Sequence, residues 1–112
     1  MNRKVKIVIN LNDRKLYLYI NNILHSSYPV AIGKASTPTP TGNFRIIQKL
    51  RNPGGVFGSR WMRFYRGYGI HGTNNPSSIG KAVSNGCVRM LNSNINAIYD
   101  LVPLGTEVMI TK

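Results

Sequence analysis

The chain of 112 residues has few acidic side chains and few cysteines, and both scarcities limit its chemistry. Its three acids, Asp13, Asp100 and Glu107, lie far apart in the sequence. Paired-carboxylate catalysis and hard-cation sites need several carboxylates close together, so neither is expected. A zinc site would have to recruit the two histidines and the single cysteine, without a ligand pair at the usual short spacing. We therefore expect neither a metal nor a cofactor.

Long apolar runs are also missing. No segment approaches the ~20 consecutive apolar residues of a membrane-spanning helix, so we expect no transmembrane segment. The N-terminus carries basic residues but no continuous apolar core and no small-residue cleavage site, so no signal peptide is visible. The length and a hydrophobic content of 42% predict one folded domain over residues 1–112.

Charge is strongly one-sided, with 15 Lys and Arg residues and a formal net charge of +12. The basic residues are spread along the chain, most densely over residues 49–66. Such a field attracts polyanions, whether nucleic acid, anionic lipid or an acidic cell-envelope polymer. A solvated basic surface that only aids solubility is the competing interpretation, and composition does not separate the two.

Alternation of apolar and polar residues predicts β structure in the first two-thirds of the chain. Two turn signals divide residues 5–32 into a meander of hairpins, with a third strand over about residues 24–32. Residues 33–42 contain two prolines and two glycines and are predicted to be a loop, followed by a strand over residues 44–50.

A single helix is predicted near the C-terminus. Apolar residues recur at helical spacing over residues 95–102, after a possible cap at Asn92 and Ser93 and before Pro103. A last strand covers residues 106–111. The prediction is a mostly β fold: a mostly antiparallel β-sandwich or partly closed barrel with one C-terminal α-helix.

Cys87, the only cysteine, is the most informative residue. A lone thiol forms no internal disulfide, so it serves as buried filler or as a nucleophile. Gly86 permits a tight bend before the sulfur, and His71 lies sixteen positions upstream after an apolar strand. These neighbours favour a nucleophile with His71 as the proton acceptor. His25 lies on an early strand and is interpreted as a surface or packing residue.

The motifs around these two residues resemble those of the L,D-transpeptidase catalytic domain (YkuD-type). Tyr68–Thr73 reads YGIHGT and Ser84–Met90 reads SNGCVRM. The resemblance extends in order from about Val5 to Ile110, through PVAIGK, TPTPTG, NPGG and GSRWM at residues 29–34, 37–42, 52–55 and 58–62. One departure is Asn85, where many family members carry His or Arg; we expect it to tune the pocket.

The resemblance implies acyl transfer on peptidoglycan stem peptides. The Cys87 thiolate would attack the carbonyl at the L-centre of the third stem residue, expel D-alanine and form a thioester. A neighbouring amine would then complete a 3→3 cross-link. Carbapenems are implied as inhibitors, and the cell wall or spore envelope as the location.

Two alternatives stay open: a cysteine hydrolase of the L,D-carboxypeptidase type, and a non-catalytic basic domain that binds wall polymer or nucleic acid. The second leaves His71 and Cys87 unexplained, so no nucleic acid is expected.

The catalytic roles follow from the same resemblance and from the chemistry of thiols. A protonated His71 beside Cys87 would raise the thiolate fraction. With so few acids, a backbone carbonyl is expected to orient the imidazole, and the family pattern assigns this to Gly72. Main-chain N–H groups of Gly86 and Cys87 are the expected donors to the oxyanion.

Five further residues are candidates for substrate binding. Ser84 is either a supporting hydroxyl or a turn residue, and Arg89 either binds a stem-peptide carboxylate or braces the loop. Tyr68 and Trp61 are candidates to line a substrate groove, with core packing as the alternative for Trp61. Asn85 completes the set.

Overall fold

The structure, a computed structural model, describes residues 3–112, so Met1 and Asn2 lie outside it. Within that range eleven strands and one α-helix are formed, and no helix has the length and apolar content that a bilayer crossing requires. The strands are β1 (Val5–Asn10), β2 (Lys15–Ile20), β3 (Ile23–Pro29), β4 (Ile32–Gly33), β5 (Gly42–Arg45), β6 (Gln48–Arg51), β7 (Arg60–Tyr65), β8 (Tyr68–His71), β9 (Ala82–Ser84), β10 (Val88–Arg89) and β11 (Glu107–Thr111). The helix is α1 (Asn92–Tyr99), and single 3-10 turns cover Gly55–Phe57 and Pro76–Ser78.

The first sheet has the strand order β3-β2-β1-β11-β5. Alternation along β1 and β2 places Ile7, Ile9, Leu16 and Leu18 on the buried face, where none of them is exposed. The tight turns that join β1, β2 and β3 keep these strands antiparallel, whereas β11 returns from the far end of the chain and pairs with β1 in parallel.

The second sheet carries the candidate site and has the order β10-β8-β7-β6, with the short pair β4-β9 beside it. Its inner face contributes Met62, Ile70 and Val88 to the core. One cluster of buried apolar side chains joins both sheets and the helix. The inner face of β7 and β8 is filled by the core, so polar groups for chemistry can lie only on the outer face of these strands.

Helix α1 packs Ile95, Ile98 and Tyr99 against this core. At its C-terminal end the Ile98 carbonyl accepts from the Leu101 N–H, and the Tyr99 carbonyl accepts from the Val102 N–H. Lys49 adds a further donor, because its Nζ lies 2.7 Å from the Tyr99 carbonyl and 2.6 Å from the carbonyl of Val102, which lies beyond the helix.

The mostly β fold with one helix is confirmed, and the residues described contain no closed barrel. Five of the eight strand pairings are antiparallel, which agrees with the prediction, and the other three are parallel. Two details differ from the prediction. The expected strand over residues 44–50 divides into β5 and β6, because the chain passes between the sheets there: the Ile46 N–H bonds to Thr106 and the Ile47 N–H to Arg63. The third strand ends at Pro29, because the chain then leaves β2 for other partners: Ala31 pairs with Arg89, and the Ile32 N–H bonds to the Lys81 carbonyl.

Candidate active site

Parallel pairing of β10 with β8 brings the cysteine and histidine segments together. Arg89 lies opposite His71 and Val88 opposite Ile70. Val88 and Ile70 both point into the core, so alternation places Cys87 on the other face of the sheet, the face of His71. Cys87 then lies alongside Gly69, about 7 Å along the strand direction from the histidine.

The bend before Cys87 requires glycine. Gly86 has a φ of 119°, and a side chain there would overlap the ring of Tyr68. Ser84 closes the bend: its hydroxyl donates to the Cys87 carbonyl at 2.6 Å and accepts from the Gly86 N–H at 3.1 Å. Ser84 is only 1% exposed. Its hydroxyl is used inside the loop, so Ser84 has the supporting role that the sequence allowed: it positions Cys87.

The oxyanion donors also differ from those expected. The Gly86 N–H already donates to Ser84 and is not free to bind a developing oxyanion. The Cys87 N–H donates to no other group in the part of the chain described. Of the two donors expected from the sequence, only that of Cys87 is available, and Gly86 contributes its backbone conformation.

His71 is held on three sides and is only 3% exposed. Its Nδ1 bonds to the carbonyl of Gly72, and since a carbonyl only accepts, Nδ1 carries the proton. Trp61 stacks on the imidazole with ring centres 5.7 Å apart, and the Phe57 ring lies nearly perpendicular to the imidazole with ring centres 5.1 Å apart. This arrangement leaves Nε2 as the nitrogen able to accept a proton.

Burial keeps both candidate catalytic groups neutral. It lowers the pKa of His71 to about 4, against the opposing effect of the Gly72 hydrogen bond, and the charge of Arg89 lowers this pKa further. Burial also raises the pKa of the Cys87 thiol, while the Gly69 N–H and Arg89 act in the opposite direction. Near pH 7 these shifts favour a neutral imidazole and a neutral thiol over the pair of imidazolium and thiolate considered from the sequence. The thiol Sγ lies 3.8 Å from the Gly67 carbonyl.

The remaining candidates for substrate binding occupy different surroundings. Asn85 is exposed at the tip of the cysteine loop. Trp61 lies outside the apolar core, because it stacks on His71 and donates from Nε1 to Gln48 at 3.1 Å. Tyr68 covers Gly86 and stacks on Tyr65.

Arg89 is partly buried beside both catalytic candidates. Its guanidinium donates no hydrogen bond to any group within residues 3–112. Of the two roles considered from the sequence, the brace to loop carbonyls is therefore not formed. The charge is therefore available to a ligand.

Sequence reasoning missed Phe57 and Gln48. Phe57 covers one edge of the imidazole, and Gln48 holds Trp61 through the indole N–H. Phe57 lies two residues after the NPGG motif at residues 52–55, so the sequence held a signal close to Phe57. No motif lies near Gln48.

His25 is exposed on β3, beside Ser26. No group of three or more His, Cys, Asp or Glu side chains able to hold a metal is found among residues 3–112.

Comparisons with known proteins match nearly the whole chain, both in sequence and in fold. The YkuD family profile, described as the L,D-transpeptidase catalytic domain, matches residues 4–110. The putative L,D-transpeptidase YkuD of Bacillus subtilis is 50% identical over 107 residues, which cover 95% of this chain and 65% of that protein. The chain thus spans less than two thirds of this relative.

Two solved structures show the same fold. The catalytic domain of the E. faecium L,D-transpeptidase is 23% identical, with a TM-score of 0.82 and 95% of each chain covered. The L,D-transpeptidase LdtMt1, solved in complex with imipenem, is 21% identical, with a TM-score of 0.86 over 98% of this chain and 60% of that one.

The lowered pKa of His71 predicts a specific loss of stability in acid. Because the folded-state pKa of about 4 lies below the unfolded value of ~6.5, the unfolded chain binds this proton more readily. The contribution is complete above about pH 6.5 and is lost as the pH falls through 4. We expect the wild type to lose up to about 3 kcal/mol more than His71→Gln between pH 7 and pH 4, since other groups titrate equally in both. Denaturant unfolding at both pH values measures this difference. An NMR titration midpoint for His71 near 6.5 would contradict the burial argument.

Proposed function

The chain belongs to the L,D-transpeptidase catalytic domain family, and from this we propose that it is a cysteine acyltransferase acting on peptidoglycan stem peptides. The observation that carries the proposal is the pairing of β8 with β10, which puts the only thiol and a buried, neutral imidazole on one face of one sheet. Non-catalytic polymer binding would need neither group.

Acylation begins from the neutral pair. His71 Nε2 takes the thiol proton as Sγ attacks the carbonyl carbon at the L-centre of the third stem residue, and a C–S bond forms. The negative charge that develops on the carbonyl oxygen is stabilised by the Cys87 N–H. When the tetrahedral intermediate collapses, the C–N bond to D-alanine breaks and the imidazolium returns its proton to the leaving amine. The product is a thioester on Cys87 and free D-alanine.

Deacylation reverses these roles. A side-chain amine of a neighbouring stem attacks the thioester, His71 accepts the proton that this amine loses, and the thiol is restored as it leaves. The new amide is a 3→3 cross-link. Water in place of the amine would give the tripeptide, the product of an L,D-carboxypeptidase. Since this substrate lies outside the membrane, the proposed location is the cell wall or the spore envelope.

Positive charge surrounds the proposed site and favours acidic ligands. Arg89 influences both catalytic groups without a partner of its own in the described chain. Arg66 precedes Gly67, whose carbonyl contacts Sγ, and Lys34 follows β4, its N–H bonded to the Ser84 carbonyl. Both side chains are exposed. The proposed partners are thus stem peptides with free carboxylates and anionic wall polymers.

A carbapenem tests the nucleophile directly. Sγ should open the lactam ring, whose nitrogen takes the proton, so that the protein gains the full mass of the drug. We expect this adduct on wild type and none on Cys87→Ser, a change close in size. His71→Gln should acylate about 10²–10⁴ times more slowly, as is typical for loss of a positioned base. Intact-mass spectrometry over time gives these rates.

His25→Gln is the matched control, because it makes the same change on an exposed strand away from the site. It should acylate at the wild-type rate. Absence of any adduct on the wild type would favour the polymer-binding alternative, and equal rates for both histidine variants would remove His71 as the base.

The identity of the acceptor requires a separate measurement. We expect the protein, incubated with a disaccharide-tetrapeptide, to release D-alanine and form a cross-linked dimer, because the stem amine is a far better nucleophile than water. Mass spectrometry of the products separates dimer from tripeptide. Tripeptide as the sole product, even with added amine, would assign the chain to the hydrolases.

Charge steering predicts a difference between polymeric and small substrates. Raising the ionic strength from about 0.05 M to about 0.5 M shortens the screening length from more than 10 Å to a few ångströms. The reaction with polymeric wall should therefore slow several-fold more than the reaction with a short peptide. Arg66→Gln combined with Lys34→Gln should reduce this salt effect. Lys15→Gln with Arg3→Gln, an equal charge change on other exposed positions, should not. Equal salt effects on both substrates would count against steering.

A further inference from the structure

Asn92, the first residue of α1, joins two segments that surround the imidazole. Its Oδ1 accepts from the Ser59 N–H and from the Thr73 N–H, each at 3.1 Å. Its Nδ2 donates to the Thr73 carbonyl, also at 3.1 Å. One amide side chain thus bonds to three backbone groups on two loops. The expected role of Asn92 as a helix cap is not observed, since no side-chain cap bond is formed.

Two glycines make this contact possible. A side chain at Gly58 or at Gly72 would overlap Asn92 Oδ1. Gly58 also has a φ of 66°, a conformation that other residues rarely adopt. Both loops therefore reach the amide only because they lack side chains at these positions. The contact is specific to Asn92 and is not a general packing of the helix against the sheet.

The bonds to Thr73 fix the chain immediately after Gly72, whose carbonyl accepts the hydrogen bond from His71 Nδ1. The Gly72 carbonyl binds His71 Nδ1, and the Gly72 N–H donates to the Arg60 carbonyl at 3.1 Å. Thr73, the next residue, is held at both its N–H and its carbonyl by Asn92. The peptide unit that presents the Gly72 carbonyl consequently has little freedom to turn away.

The bond to Ser59 acts on the other side of the imidazole. Ser59 follows Gly58, at the end of the turn that carries Phe57, and the Phe57 ring meets His71 edge-on. Asn92 thus anchors both the hydrogen-bond acceptor of the imidazole and one of its two aromatic neighbours.

We propose that Asn92 is a positioning residue, which acts through Thr73 and the Gly72 carbonyl to keep the His71 proton on Nδ1 and leave Nε2 free. Neutral imidazole exchanges between two tautomers, and the hydrogen bond made by one nitrogen decides which is present. The kinetic consequence, a faster transfer of the Cys87 proton, rests on the proposed function. The tautomer itself does not.

The test is a ¹⁵N NMR measurement of the His71 tautomer together with the rate of carbapenem acylation. Wild type should show Nδ1–H alone. Asn92→Ala should show mainly Nε2–H, with the Nδ1–H share reduced to about a tenth, and should acylate about tenfold more slowly. Asn92→Asp keeps the acceptor oxygen for Ser59 and Thr73 but lacks the donor to the Thr73 carbonyl, so both readouts should lie between these values.

Asn96→Ala is the matched control on the same helix. Asn96 also contacts Ser59, but through the serine hydroxyl at 2.7 Å, and it makes no bond to Thr73. This variant should keep the wild-type tautomer and rate. If Asn92→Ala does not fold, Asn92→Asp replaces it in the comparison with Asn96→Ala.

The outcomes separate this proposal from the proposed function. An unchanged tautomer in a folded Asn92 variant overturns the positioning role, even if acylation slows. A variant that is mainly Nε2–H but acylates at the wild-type rate supports the positioning role and contradicts His71 as the base. A wild type that shows Nε2–H overturns the positioning role at once.

Discussion

The candidate site depends on a parallel ladder only two residues long, between β8 and β10. So short a strand would not hold its register by one edge alone. It is held at both edges, because Arg89 exchanges hydrogen bonds of 2.9 and 3.0 Å with Ala31 on one side, and the Met90 N–H donates to the His71 carbonyl at 2.8 Å on the other. The cysteine loop therefore leaves β9 and enters β10 at fixed points. The position of Cys87 relative to His71 follows from this register.

Burial and net charge together determine the protonation of the site. An imidazolium would be poorly solvated there and would lie near the Arg89 charge, so the neutral form is favoured. A carboxylate acceptor would offset this by stabilising the imidazolium, but all three acids are engaged elsewhere: Asp13 with Tyr17, Asp100 with Arg51, and Glu107 with Lys6. The Gly72 carbonyl orients the ring without adding a full charge. The imidazole is thus oriented while it stays in its neutral form.

The parts of the fold that the sequence allowed us to predict are those with local signals. Alternation and turn residues indicated the β1–β3 hairpins, and helical spacing indicated α1. The parallel pairs were missed because their partners lie far apart in sequence and no turn joins them. At the site, the motifs predicted roles for Cys87, His71 and Gly72 but not the environment of these residues. Whether the Gly86 N–H is free depends on where the Ser84 hydroxyl points, and a pKa depends on burial, which no motif records. Asn92 was interpreted as a helix cap because it precedes the apolar residues that recur at helical spacing. That position fits a cap as well as it fits the observed bonds to Ser59 and Thr73.

Neutral side chains perform the positioning that acids perform in many enzymes. Ser84 fixes the Cys87 loop, Gln48 fixes Trp61, and Asn92 fixes the segment after His71, each through hydrogen bonds to groups that do not ionise near pH 7. Bonds between neutral groups are insensitive to salt and to protonation over the physiological range, whereas interactions between exposed charges are screened by salt. The positioning of the site residues and the attraction of ligands by surface charge therefore depend on different interactions. A strongly basic surface is able to attract acidic ligands without disturbing the geometry of the groups that would act on them.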